Sequence, residues 1–310
     1  MLVFEKKERI CDARTLGLHW CSKNLMVPTP YLVSPSTIRL FLTMCDEKNI
    51  GRIGFVDVRA DNPSEIVAVS ERPLLDVGGP GTYDDNGVVT SSLYADGKQL
   101  YLFFSGYELS VKIPYKIFCG VAVSKDNGNT FVRVNKASLL PPIDEELYNR
   151  CQPYLLKLEN GFRVFYLGDA GNVWRPDKKG HLVPKYNMLS IEATDIVRWP
   201  SVPGREVMPF MDDEETGMTV PTIWREDGIY KMIFSLRRVN AGYKISYSES
   251  TDGVRFVRHD EQLKFIGRQS DWDSEMMCFA RLITVGARTY MFYSGNHYGV
   301  GGIGWAELVK

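Results

Sequence analysis

The chain has 310 residues, 44% of them hydrophobic, and a formal net charge of −1. That is apolar material enough for a core and too little charge to attract a phosphate backbone or an anionic membrane, so nucleic-acid binding is not expected. MLVFEKKERICDAR at the start lacks the apolar stretch of a secretory signal, no run approaches the ~18–20 apolar residues of a membrane span, and six scattered cysteines without C-x-x-C spacing read as reduced, buried thiols of a cytoplasmic protein.

In chain order, the predicted elements are almost all strands. VPTPYLV (27–33), IRLFLTM (38–44) and RIGFVDV (52–58) come first, followed by VVTSSLY (88–94), QLYLFFSGY (99–107) and CGVAVSK (119–125). The same trio recurs as CQPYLLK (151–157), GFRVFYLGD (161–169) and YNMLSIEA (186–193), then as VPTIWR (220–225), IYKMIFSLR (229–237) and KISYSES (244–250). CFARLIT (278–284), RTYMFYSGN (288–296) and GIGWAEL (302–308) complete the series. Each run is rich in β-branched and aromatic residues and is bounded by Gly, Asp or Asn, and no long 3.6-period stripe is present. Taking Pro30, Ser91, Pro153, Pro221 and Ala280 as equivalent, the repeats are 61, 62, 68 and 59 residues apart.

Five near-equal units of three strands, each with room for a fourth, describe a propeller. The predicted fold is therefore all-β: one five-bladed β-propeller domain over residues 1–310, with blades of mostly four antiparallel strands near 20–60, 80–135, 146–200, 212–260 and 270–310. MLVFEKK is expected to close the ring as an outer strand of the last blade. SKDNGNTF (124–131) fits the Asp-box turn and STDGVRF (250–256) is a looser version. In such turns the Asp side chain accepts backbone N–H groups, so Asp126 and Asp252 are read as structural.

Alignment on the five reference positions places Asp85, Glu215 and Glu275 at nearly the same point, just before the innermost strand of their blades. Equivalent strand ends of a propeller meet at one mouth, so these three carboxylates are expected to converge although each alone would read as a loop acid. Like charges brought together raise one pKa and leave another group ionised, which is the division of labour that glycoside cleavage uses. Trp272, Tyr107, Trp174 and Tyr298 are aromatics available to stack on a sugar ring. The four histidines form no metal-binding spacing, and GVGGIG (299–304) precedes a strand rather than a helix. No metal and no cofactor is expected. His297 is placed near the axis, against a sugar or in a structural hydrogen bond.

VPTP (27–30), YDDNGV (83–88), WDSEM (272–276) and the repeated IG-x-A/V-x-S strands resemble the five-bladed β-propeller superfamily of arabinanases, levansucrases and invertases. The resemblance spans approximately residues 20–308 and is closest to a glycosidase-like branch associated with bacterial surface-polysaccharide gene clusters. It implies three acids on the inner strands of the first three blades. Only Asp85, or Asp84 beside it, matches; Asn24 stands in the first blade, and Arg150 and Gln152 stand in the third. The resemblance thus carries fold and substrate class further than mechanism.

The leading expectation is a glycoside hydrolase in which Asp85 and Glu275 form the acid/base pair and Glu215 orients water or hydroxyls. Asn24, Asp84, Arg150, Gln152, Trp272, Arg237 and His297 are the expected substrate contacts, and the partner is a sugar or oligosaccharide, in one version nucleotide-activated. An alternative is glycosyl transfer or phosphorolysis with a cationic clamp drawn from Lys23, Lys112, Arg150, Arg237, Arg238 and Arg281. A third is a non-catalytic carbohydrate-binding propeller.

Overall fold

Short β-branched and aromatic runs fold as strands throughout the computed structural model, which describes residues 1–310 except 178, 240 and 269. The first strand, β1 (Leu2–Cys11), pairs with nothing that follows it directly. Four antiparallel meanders come next: β2 (Asn24–Ser34), β3 (Thr37–Cys45), β4 (Gly51–Arg59) and β5 (Ile66–Val69); then β6 (Val88–Ala95), β7 (Leu100–Leu109), β8 (Tyr115–Ser124) and β9 (Val132–Arg133). The third is β10 (Asn149–Leu158), β11 (Gly161–Pro176), β12 (Leu182–Ala193) and β13 (Arg205–Glu206), and the fourth is β14 (Glu215–Glu226), β15 (Ile229–Arg238), β16 (Gly242–Ser250) and β17 (Val257–Arg258). After β18 (Leu263–Gly267), the strands β19 (Cys278–Val285), β20 (Arg288–Ser294) and β21 (Ile303–Leu308) form the fifth.

The fifth meander takes its fourth strand from the start of the chain: β1 runs antiparallel to β21, with Phe4 opposite Leu308, as expected for MLVFEKK. The edge strand β18, which pairs parallel to β1 with Phe4 opposite Phe265, is an addition that the sequence did not suggest. Short parallel pairings, Asn149 with Ile117 and Tyr186 with Gly217, join the middle three meanders into one sheet. The first strands of the five meanders contact one another in cyclic order, β2 to β6, β10, β14, β19 and back to β2.

Apolar clusters fill the spaces between successive meanders. Phe41, Phe104 and Phe131 lie between the first and second, Phe103 and Trp199 between the second and third, and Phe165, Phe234 and Phe256 between the third and fourth. Phe4, Tyr247 and Tyr293 lie between the fourth and fifth, and Trp20, Tyr290 and Trp305 between the fifth and the first. Each fully buried aromatic contributes about 1.5–3 kcal/mol over an exposed one, so the faces one meander cannot cover alone bind it to its neighbours. All six cysteines are buried and free.

One register expectation needs correction. The first strand of every meander carries a bulge, and in four of them the bulged residue has positive φ: Val27, Gln152, Val220 and Phe279. Pro28, not Pro30, is therefore the counterpart of Pro153, Pro221 and Ala280, because the extra residue of VPTP falls at Val27. The shift of two residues removes Asn24 from the row of Asp85 and Glu215 and aligns it with Asn149.

Candidate functional site

The bulges face a common space. Val27, Gln152, Val220 and Phe279 all line an inner cavity of about 750 Å³ within the circle of first strands. Positive φ at a non-glycine residue costs on the order of 1–3 kcal/mol, and for a β-branched valine it is rare. Here it turns the strand so that side chains enter the cavity.

Polar lining comes chiefly from amides. Asn24 and Asn149 stand at the starts of β2 and β10, with Asn86, Gln152 and Ser105 around them. Asn24 Nδ2 donates to the carbonyls of His297 (3.3 Å) and Tyr298 (3.0 Å), tying the first meander to the last. Asn24 Oδ1, both side-chain polar atoms of Asn149 and Gln152 Oε1 are buried without a hydrogen-bond partner among the described residues. Tyr107, Tyr115, Tyr186, Tyr243 and Tyr298 add phenols. Burial raises the pKa of Tyr107, Tyr186 and Tyr243, so these hydroxyls are neutral and available to hydrogen-bond; those of Tyr186 and Tyr243 touch. Lys48 and Arg237 are the charged residues of the lining, and no Asp or Glu among the described residues belongs to it.

An outer cavity of about 710 Å³ adjoins it and shares Tyr115, Pro184, Arg237 and Tyr298. One wall is the long hairpin of β11 and β12, which brings Arg175, Asp177, Lys179 and Lys185; the other is the β20–β21 connection with His297, and Glu275 just before β19. Glu275 Oε2 lies 3.5 Å from His297 Nε2, both side chains being exposed. Asn296 Oδ1 accepts the backbone N–H groups of Glu275 and Met276, both at 2.8 Å, which fixes the position of the acid's backbone.

The three expected carboxylates are thus not gathered in either cavity. Only Glu275 lines one. Glu215 is buried against Arg258 (3.1 Å) and Arg238 (3.6 Å) and accepts the N–H of Met211 (3.0 Å). Asp85 accepts from Gly81 N–H (2.9 Å) and Asn86 Nδ2 (2.5 Å), closing its own loop. Asp84 is buried on Arg133 at 2.8 Å.

Of the expected contacts, Asn24, Gln152, Arg237 and His297 line the cavities; Asp84, Arg150 and Trp272 do not. Arg150 is fully buried, ion-paired to Glu146 at 3.2 Å and bonded to the carbonyls of Pro141 and Val202, so it braces the third meander. Trp272 stacks on Tyr293 with centroids 5.2 Å apart, and Trp174 packs on Tyr148 at 4.8 Å; both serve packing. Arg281 is buried on the carbonyls of Ser91 and Pro221. Asn149, Tyr186, Tyr243 and Lys185 went unnoticed in the sequence, although Asn149 shares with Asn24 a place four residues before the proline of the bulge.

No family model matches the chain. An uncharacterized protein of Mycobacterium tuberculosis strain H37Rv is 25% identical over 291 residues, covering 94% of each sequence. Among solved structures, a glycosyl hydrolase from Bacteroides ovatus superposes with a TM-score of 0.69 at 11% identity, covering 98% of this protein and 93% of that one. A thermostable family-43 glycoside hydrolase gives 0.66 at 13% identity, covering 92% and 88%. An exo-1,5-α-L-arabinanase from a bovine ruminal metagenomic library gives 0.61 at 12% identity, covering 92% of each. The protein has the fold of the β-propeller glycoside hydrolases, as its sequence motifs implied.

Proposed function

We propose that the five meanders are the blades of one ring and that the protein is carbohydrate-active, holding a sugar in its inner cavity. The observation that carries this reading is the lining of that cavity, where Asn24, Asn86, Asn149 and Gln152 stand among Tyr107, Tyr115, Tyr186, Tyr243 and Tyr298. Donors and acceptors clustered in a cavity walled by tyrosines suit the alternating hydroxyls and apolar faces of a sugar. The glycosidic bond would lie toward the outer cavity, where Glu275 would donate a proton to the leaving oxygen beside His297. Six buried, free thiols suit a cytoplasmic setting, and a role in bacterial polysaccharide metabolism follows from the resemblance.

A second reading, binding without turnover, is favoured by the lack of any carboxylate among the described residues lining the inner cavity. One experiment separates the two. Wild type and Glu275→Gln are titrated with a panel of mono- and oligosaccharides and assayed for their cleavage. The expected outcome is unchanged affinity with turnover reduced about 10²–10⁴-fold in the variant. Full turnover in Glu275→Gln would remove Glu275 from the chemistry, and saccharide binding by a wild type that turns nothing over would establish the second reading.

A further inference from the structure

Arg237 poses a problem that a proton donor at Glu275 does not solve. Its guanidinium is half-buried where the two cavities meet, yet no Asp or Glu among the described residues pairs with it. Arg39 has Asp57 at 2.8 Å and Arg258 has Glu215 at 3.1 Å, while Arg281, which lines neither cavity, is held among the described residues by carbonyls alone. Among the described residues Arg237 has Thr216 Oγ1 at 3.2 Å from Nε, the carbonyl of Pro184, and the face of Tyr186 at 4.5 Å from the ring centroid. A guanidinium carries five N–H donors in a planar fork, so most of this one's donors have no protein partner among the described residues. A half-buried cation whose free donors face a cavity is a ready partner for an anion entering it.

The outer cavity repeats the imbalance. Arg175, Lys179 and Lys185 line it, and no ion pair engages any of them among the described residues. Lys185 is turned instead onto the Phe210 ring, its Nζ 4.7 Å from the centroid. A helix dipole is not involved, since strands and a hairpin build these walls.

We infer that the saccharide taken by this site carries an oxyanion, a phosphate or a carboxylate, and that Arg237 receives it at the junction of the two cavities. The inference rests on the carbohydrate reading above and narrows it to acidic saccharides: sugar phosphates, phosphate-activated sugars or uronates. The planar fork matches two oxygens of either anion. The sugar's hydroxyls would then face the inner amides while its charge stays at the basic outer side.

The test titrates four probes against wild type, Arg237→Gln and Arg237→Lys: inorganic phosphate, a neutral disaccharide, the same disaccharide bearing a phosphate, and its uronate. Wild type is expected to bind one or both charged sugars about 10–100-fold more tightly than the neutral one, in a manner weakened by salt. In Arg237→Gln the ratio of charged-sugar to neutral-sugar affinity should fall toward one, and Arg237→Lys should keep part of the preference. Which charged sugar is preferred tells phosphate from carboxylate. Equal affinity of wild type for neutral and charged sugars, or a preference that survives Arg237→Gln, overturns the inference. The two readings can fail separately. If no sugar binds but inorganic phosphate raises the Tm of wild type and not of Arg237→Gln, the carbohydrate reading fails and the anion site stands. If neutral sugars bind and neither phosphate nor charge helps, the reverse holds.

Discussion

Asp169 and Asn296 occupy the same place in their meanders, and the pair isolates what a charge does there. Asp169 accepts the N–H groups of Leu147 (2.6 Å), Tyr148 (3.1 Å) and Asn149 (2.9 Å), while Asn296 does the corresponding work for Glu275 and Met276 with one amide oxygen. Burial pushes the Asp169 carboxyl up to about 7, against the pull of those three N–H groups. An acid raised in this way holds its proton more tightly folded than unfolded. Its contribution is fully favourable below the ordinary value of 3.8 and is lost as the pH rises through about 7. At about 1.4 kcal/mol per unit the full loss is on the order of 4 kcal/mol. Asp169→Asn keeps an acceptor and removes the titration, so urea denaturation between pH 4.5 and 8 should give a flatter profile than wild type; identical slopes would show that Asp169 is ionised throughout. The same scale shows what the sequence concealed. Glu275 was legible because an acid beside a strand start invites notice, whereas Glu215 looked equivalent until Arg258, 43 residues away, was seen to bury it. Asn24 was noticed for the row it was given beside Asp85, whereas Asn149 gave no such signal, because a lone amide carries no charge to mark it and taking Pro30 rather than Pro28 as the reference hid their equivalence.

At the level of elements, period-two patterning and turn residues made the three long strands of each meander readable in the sequence. The outer strands were less so. β9, β13 and β17 are two residues each, and β18 (LKFIG) pairs with a strand more than 250 residues earlier, so no local pattern marks it. The turn after β8 was readable because its chemistry is local. Asp126 accepts the hydroxyls of Ser124 (2.7 Å) and Thr130 (2.6 Å) and the N–H groups of Thr130 and Asn129, and Gly128 takes φ +81°. The Ser124 and Thr130 hydroxyls, with those N–H groups, hold the Asp126 carboxyl down to about 2. Its stabilisation is therefore present above about pH 4 and lost as the pH falls through about 2. Tyr115, which lines both cavities, begins β8 and Ser124 ends it, so at about 3.3 Å per residue the turn lies roughly 30 Å from the site. Asp126→Ala should lower unfolding free energy by about 1–2 kcal/mol at neutral pH while saccharide affinity stays unchanged. Weakened affinity at undiminished stability would contradict the structural assignment of the turn.

For the whole molecule, the decisive feature is that the last meander borrows its fourth strand from the start of the sequence. Phe4 is fully buried between the fourth and fifth meanders, and Val3 exchanges backbone hydrogen bonds with Lys310 (2.8 Å) and Val309 (2.9 Å). β1 therefore ends up beside β21 as the next strand of an antiparallel meander, although nearly the whole sequence separates them. Such long-range closure delays the reward for ordering either end, which slows folding without changing the native contacts. A circular permutant separates the two effects. Joining Lys310 to Met1 through a short glycine-rich turn makes β21–β1 a hairpin, and new termini at the exposed turn around Arg14 and Thr15 leave every other meander intact. All five meanders are then contiguous in sequence. The permutant should unfold in one cooperative transition at nearly the wild-type urea midpoint, bind saccharide equally, and refold faster because closure has become local. Deleting residues 1–11 instead should abolish cooperative folding, since it bares the edge of β21 and empties the space filled by Phe4, a loss of about 3–5 kcal/mol for that side chain alone. A deletion mutant with wild-type stability would mean that β1 decorates the last meander; a permutant that fails to fold would mean that the connection from β1 into β2, with buried Trp20 and Cys21, holds the first and last meanders together.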